Sequence, residues 1–260
     1  MPEFINTELL LPVVVALTMI ITRLGFLIIA IPAFGGTLLP KQILAASVVV
    51  MSIAVYTGLP EVNSIPLDPV SLIIATFGEA VLGASAGLAS RMVFAAVDTA
   101  GQVLGVPMGM GFSQAIDPTS NAESVVTSRF LSMIATLLFF ALDMHLVLIR
   151  YIIESFRVFG PGEVVFHGHV GIFLAQKGGM MFNAAIQLAA PVLVTLMGVM
   201  ASLGMLARIA PKVNLFVLSF AVSIGVGLLA LKAALPNIIA FSRGLILSIE
   251  PFVGDTLRNF

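Results

Sequence analysis

Hydrophobic residues along this chain come in long blocks set apart by short clusters of Pro, Gly and charge, with none of the apolar–polar alternation of a half-buried strand. The first block, Glu8 to Ile31, predicts one helix, apolar but for Arg23. Pro32 to Pro40 (PAFGGTLLP) reads as a turn, with two prolines bracketing Gly35-Gly36. Lys41 opens a second block, and uncharged residues 42–60 are enough for one membrane span. After a polar loop, Glu61 to Pro69, the third block runs from Val70 to Val97 and holds Glu79 and Arg91. Gly101 to Pro118 (GQVLGVPMGMGFSQAIDP) follows, and then the most polar stretch, Asp117 to Arg129, where Ser120 and Glu123 have capping-box spacing. Phe130 to Phe156 predicts a single helix, closed by Gly160-Pro161-Gly162, and residues 163–179 read as a linker. Residues 178–207 carry no charge and exceed one span of about 20 residues, so Pro191 is expected to kink a long helix. A basic turn, Arg208 to Asn214, leads into a return helix, Leu215 to Leu235, interrupted only by Lys232; Pro236-Asn237 is expected to break it, and a short segment ends near Glu250-Pro251. The pattern predicts an all-α, membrane-type protein in which a C-terminal helical hairpin follows a longer helical part.

Two blocks carry finer patterning. Glu79, Gly83 and Gly87 are four apart and share one helix face, small and acidic, suited to packing against another helix rather than lipid. Arg23 and Glu79 lie inside apolar spans, where a charge is costly unless buried against protein, water or a partner. Gly101, Gly105 and Gly109 make a second smooth stripe that lets another backbone approach. Gly is a poor helix former, however, and Pro107 removes a donor. The stretch therefore reads either as a tightly packed helix or as a bendable hydrophobic loop.

Composition narrows the class. Of 260 residues, 59% are hydrophobic and 10% charged, against about 25% charged in a soluble domain, so the protein is integral to a membrane or assembled within one. A net charge of −1 gives no case for nucleic-acid binding. With no cysteine there are neither disulfides nor thiolate metal sites, and with no Trp there is little aromatic belt. The first residues, MPEFINTE, are acidic and lead into an apolar run too long for a cleaved leader, so a retained first helix is expected. The basic turn reads as cytoplasmic and the acidic N-terminus as external. Charge-broken spans fit helices buried in a protein assembly as well as helices in lipid.

Candidate chemistry is sparse. Gly83-Ala84-Ser85-Ala86-Gly87 matches G-x-S-x-G, but a hydrolase needs that serine on a sharp strand-to-helix turn, and close helix packing explains the same small residues. His167-x-His169 lacks a third metal ligand nearby. Glu79, Asp143 and His145 are the residue types of a proton relay, which keeps a small proton-coupled transporter as the alternative function. Met108 and Met110, flexible and set among glycines, suit a deformable seal. No nucleotide-binding P-loop is present.

Several segments taken in order resemble the FliR/SctT family of the bacterial type III export apparatus. They are Arg23 with Pro32-Ala-Phe-Gly and Pro40; Phe77-Gly-Glu79 with Gly83 and Gly87; Ala100-Gly101 leading to Met108-Gly109 and Asp117-Pro118; His145 followed by Ser155-Phe156 and Pro161-x-Glu163; and Ala190-Pro191, Leu203-Gly204 and Arg208-x-x-Pro211-x-x-Asn214-x-Phe216. His145 before the Ser-Phe element favours the flagellar branch. Pro107 stands where the family often has Gln, Lys212 replaces another Gln, and Ser219–Ser223 lacks a family proline and lysine. The resemblance implies an all-helical subunit that is not an enzyme and carries no cofactor. Residues 1–177 would correspond to a FliP-like part with a central plug loop (about 106–118), and residues 178–260 to a FliQ-like hairpin. It implies a gate assembled with FliP and FliQ, docked on FlhB and FlhA in the inner membrane at the flagellar basal body, held largely above the bilayer plane and passing unfolded flagellar proteins. In that gate Gly105, Gly109 and Gly111 would let the plug move, and Met108, Met110 and Phe112 would seal it, with Val106 part of the same plug element. Arg23, Glu79, His145 and Arg208 would be buried polar or assembly contacts.

Overall fold

Long apolar blocks satisfy their backbone in a dry environment by closing each N–H onto the carbonyl four residues back. The computed structural model of the chain is accordingly helical, and it describes residues 7–35, 40–59, 68–110, 126–164, 169–209 and 215–260. The described helices are α1 (Thr7–Ala30), α2 (Pro32–Gly35), α3 (Lys41–Gly58), α4 (Pro69–Gly105), α5 (Val126–Ala141), α6 (Met144–Val158), α7 (His169–Ile209), α8 (Leu215–Leu247) and α9 (Ile249–Asn259). Among the described residues, five stretches are long and apolar enough to cross a membrane, Leu11–Ala30, Lys41–Gly58, Pro69–Gly105, Gly171–Ile209 and Leu218–Arg258, and the broken pair α5–α6 makes a sixth if counted as one span.

Helix boundaries depart from the sequence expectation where a breaker is overruled or a break has no breaker. The single helix expected over Phe130–Phe156 is two: the chain breaks before Met144, and Asp143 adopts a left-handed conformation, φ 53°, one of the few non-Gly residue types that does so readily. The expected linker 163–179 becomes helix from His169 onward. Pro236 does not end α8, which continues to Leu247; neighbouring packing absorbs one lost N–H in an apolar helix. Pro251 falls in the first turn of α9, where no intrahelical N–H bond is required, so it opens a helix. Asp68 begins α4 with Pro69 at its first position, accepting hydrogen bonds from the N–H (3.2 Å) and hydroxyl (3.3 Å) of Ser71. The Ser120–Glu123 spacing, Asp117-Pro118 and residues 210–214 of the basic turn lie outside the described residues.

The chain divides into two compact units, with boundaries inside α4 and α7. Met1–Met92, Asp143–Lys177 and Ser248–Phe260 form the first. Here α1 seats on the first half of α4 through glycine. A Cβ at Gly83 would overlap the carbonyl oxygen of Arg23, and one at Gly87 would lie 2.8 Å from the carbonyl oxygen of Leu27. Met19, Ile20, Leu24, Leu27 and Leu82 are fully buried around this seam. The α9 helix packs on α6, and its Phe252 stacks on Phe173 with ring centroids 5.5 Å apart. Lys177 Nζ stands 5.1 and 5.5 Å from those two rings and 3.8 Å from the Asp255 carboxylate.

Val93–Leu142 and Gly178–Leu247 form the second unit. A Cβ at Gly101 of α4 would overlap the backbone of Ser128 on α5, and Phe94 meets Phe139 edge to face at 5.5 Å. Ala96, Ala184 and Ala185 form a small-residue core flanked by Met181, Phe241 and Leu245.

Because the atom facing Gly83 is backbone, no side chain can move aside. Gly83→Ala is expected to lose about 1–3 kcal/mol. Gly225→Ala, where nothing lies within 4 Å of a new Cβ, is expected to be neutral or mildly stabilising. Thermal denaturation of the two variants in detergent, followed by circular dichroism, checks the contrast.

Candidate functional site

In the first unit Arg23 and Glu79 meet. Both are fully buried, and they pair side-on, Nε to Oε2 at 2.5 Å and Nη2 to Oε1 at 3.0 Å. The other guanidinium donors go to the Ser155 hydroxyl (2.9 Å, from Nη1) and the Phe159 carbonyl oxygen (3.2 Å, from both Nη1 and Nη2). Each of the five N–H donors of an arginine thus has an acceptor. The ring of Phe156 lies 3.8 Å beneath the guanidinium carbon, an added cation–π contact. Glu79 Oε1 also accepts the backbone N–H of Gly162 at 2.8 Å.

Local structure explains how these groups converge. Phe159 caps the C-terminus of α6, whose exposed carbonyls carry partial negative charge and favour a cation. Gly162 has φ 88°, a conformation that suits glycine and lets the Gly160-Pro161-Gly162 turn aim its N–H at Glu79. Scattered sequence elements are thereby joined: Arg23, Glu79, Ser155-Phe156 and the turn before Glu163 surround one buried charge pair. Sequence reasoning singled out the two charges. It missed their hydrogen-bonding partners, for which the only signal was the polar Ser155 inside an apolar helix.

The second centre is the end of α4. Past Gly105 the chain makes one more turn, in which Met108 N–H bonds to the Leu104 carbonyl (3.4 Å), Gly109 N–H to Val106 (3.0 Å) and Met110 N–H to Gly105 (3.0 Å). With Gly109 at φ 74°, this is a Schellman ending that occupies carbonyls a helix C-terminus leaves open. Pro107 lies within that turn and does not end it. Met108 is fully buried, its side chain 2.7 Å from where a Cβ on Gly227 of α8 would stand, and Gly109 faces the Phe220 ring. Val106 is exposed and Met110 half-buried, while Gly111 and Phe112 lie outside the described residues.

One turn earlier, Asp98 collects donors from Ser128, Ser132 (3.3 Å) and Gln102 (2.7 Å), and Thr127 donates to the Gly101 carbonyl at 2.7 Å. This polar seam between α4 and α5 was also missed, although Ser128 and Ser132 are one helical turn apart. The remaining candidates do not join these centres. Ser85 is buried and donates to Leu82 of its own helix at 2.8 Å, so it is no exposed nucleophile. The hydrogen-bond partners of Glu79 are Arg23 and Gly162, so neither Asp143 nor His145 extends it into a relay. His145 is half-buried near the start of α6, and Arg208 is exposed in the last turn of α7 rather than buried within the chain. His169 opens α7, and His167 lies outside the described residues.

Removing one member of a buried ion pair strands the other, so Arg23→Met or Glu79→Leu alone is expected to cost about 3–5 kcal/mol. The double variant is expected to lose less than the sum of the two, and Arg23→Lys not to rescue, since an ammonium lacks the guanidinium fork. A double-mutant cycle on denaturant unfolding in detergent measures this.

Comparison with known proteins supplies the context for both centres. Residues 14–249 match the family described as Bacterial export proteins, family 1. The flagellar biosynthetic protein FliR of Pectobacterium carotovorum subsp. carotovorum is 30% identical over 237 residues, 91% of this chain and 90% of that protein. FliR of Escherichia coli (strain K12) is 27% identical over 237 residues, with the same coverage, and FliR of Bacillus subtilis (strain 168) is 27% identical over 248 residues, 94% of this chain and 93% of the relative. With its long apolar helices and a match over about nine-tenths of its length to these relatives, this chain belongs to the bacterial export proteins of family 1, the family of the flagellar biosynthetic protein FliR.

Proposed function

We propose that this chain is a pore subunit of the flagellar type III export gate, needed for flagellum biosynthesis and for passing unfolded flagellar proteins across the inner membrane. It acts by gating, not catalysis. The observation that supports this most directly is the ending of α4: a Schellman turn aims the chain away from the helix at Gly109, and Met108 anchors that turn in the Gly227 notch of α8. Such a root gives a plug a fixed base. Residues from Val106 to about 118 form the plug in this reading, with Met108 as the anchor and Val106 and Met110 near its base. Opening would withdraw Met108 from its notch, a move for which an unbranched thioether is suited.

The buried Arg23–Glu79 cluster is structural in this reading. It holds α1, α4 and the end of α6 in one arrangement against which the rest of the subunit can work. Residues 1–177 correspond to a FliP-like part and 178–260 to a FliQ-like hairpin. Partners are FliP and FliQ in the gate, with FlhB and FlhA at the basal body. The long exposed apolar faces of α3, α4 and α7, including Val50, Ile73, Ile74, Phe77, Val194 and Met197, are available to those partners or to lipid.

Two experiments test the proposal. Expression in a flagellated bacterium lacking its own FliR is expected to restore swimming in soft agar, and no restoration together with failure to co-purify with FliP and FliQ would reject the assignment. Replacing residues 106–112 by a flexible polar linker is expected to leave the co-purifying complex intact while making the membrane leak small ions. Unchanged ion conductance in that variant sinks the plug.

A further inference from the structure

The outward side of α4 carries a pattern that the Arg23–Glu79 cluster does not use. Val70, Ile74, Phe77, Val81, Ala84, Leu88 and Arg91 follow one another at intervals of four and three, three full heptads within the first unit. Val70, Ile74 and Phe77 are 65%, 66% and 65% exposed, Val81, Ala84 and Leu88 are half-buried, and Arg91 is exposed. Gly83 and Gly87, by contrast, are covered by α1, so the stripe lies on the open side of the helix. Strict four-three spacing is the seam that one helix offers to another, each side chain seating among four of the partner's. The seam extends over 21 residues, about 32 Å of helix at 1.5 Å per residue.

Arg91 ends the stripe and decides the chemistry of its occupant. Among the described residues it forms no ion pair and no hydrogen bond. Arg23, on an equally apolar helix, shows what a guanidinium requires there: a carboxylate along its side and acceptors for its remaining donors. No described residue gives Arg91 either. Lipid tails call for no four-three period and offer a guanidinium no acceptor, and water would leave the apolar stripe uncovered. We propose that this face of α4 packs lengthwise against one helix of a neighbouring subunit in the export gate, a helix with apolar residues at matching spacing and an Asp or Glu opposite Arg91. One charged pair in an otherwise apolar seam sets its register, because a shift of a single turn strands both charges. The inference rests on the gate reading, which supplies the neighbouring subunit, and it is independent of the plug.

A carbodiimide joins a lysine amine to a carboxylate in direct contact and leaves arginine untouched. The full chain carrying Arg91→Lys is co-expressed with FliP and FliQ, and the purified complex is treated with the reagent. The expected result is an amide between position 91 and an Asp or Glu of a partner chain, found by mass spectrometry of the digested complex and missing from the wild-type one. Arg91→Leu strands that carboxylate and is expected to make the partner dissociate about 30-fold faster or more. Thermal denaturation of the isolated chain is expected to be unchanged by Arg91→Leu, since Arg91 has no polar partner among the described residues. A complex that forms but gives no adduct at position 91 overturns the inference and leaves the gate reading standing. So does an adduct that joins two copies of this chain, or an Arg91→Leu complex as long-lived as the wild type. If no complex with FliP and FliQ forms at all, the gate reading falls and this inference with it.

Discussion

Arg23 carries five N–H donors and a full charge on a helix that is otherwise apolar, and none of its side chain reaches solvent. A buried charge of this kind tolerates very few surroundings. It needs a carboxylate at bidentate distance, and acceptors for the donors the carboxylate leaves over. Glu79 supplies the first, and the hydroxyl of Ser155 and the carbonyl of Phe159 supply the second. Each comes from a different part of the chain, so α1, α4 and the end of α6 are constrained together. The geometry is possible only because Gly83 and Gly87 let α1 lie directly on α4, and because Gly162 can take φ 88° to bring its N–H to the carboxylate. A pair like this contributes less to net stability than to uniqueness of arrangement, since almost any displacement strands a charge.

The α4 helix serves both units by different chemistry. Its first half offers a charge and a glycine seam. Its second half offers Asp98, with donors from Ser128 and Ser132, then Gly101 against α5, and at its end the Schellman turn with Met108 buried at Gly227. In an apolar environment helix association gains little from hydrophobicity alone, so small residues that permit close approach and a few satisfied polar contacts carry the specificity. The same features were visible as spacing: Glu79, Gly83 and Gly87 at intervals of four, and Gly101, Gly105 and Gly109 likewise.

Helix boundaries depart from the sequence pattern mainly at prolines and at one aspartate. Pro236 and Pro251 read as stops in the sequence, yet one lies inside α8 and the other in the first turn of α9, because a proline's cost depends on whether its missing N–H was needed and on what packs around it. The break between α5 and α6 has no Pro or Gly; it is made by Asp143 in a left-handed conformation that composition does not announce. At the end of α4 the alternatives of packed helix and bendable loop are both partly present. The helical path continues through Pro107 to Met108, and the direction changes at Gly109.

The amino-acid sequence by itself determined the all-α class, the membrane character, the helix faces that carry small residues, and the two charges that had to be buried. These follow from composition and from a 3.6-residue period, which are local properties. Family membership was legible too, because it rests on an ordered set of short elements that no folding is needed to see. Only the tertiary structure decided that Arg23 pairs with Glu79, that Ser155, Phe159 and Gly162 complete the cluster, and that Met108 is buried with its side chain against Gly227. The sequence separation from Arg23 to Ser155 or from Met108 to Gly227 is too long for any local period to encode. Such contacts are selected by which burials leave no charge or donor unmet, and that is a property of the whole packed chain.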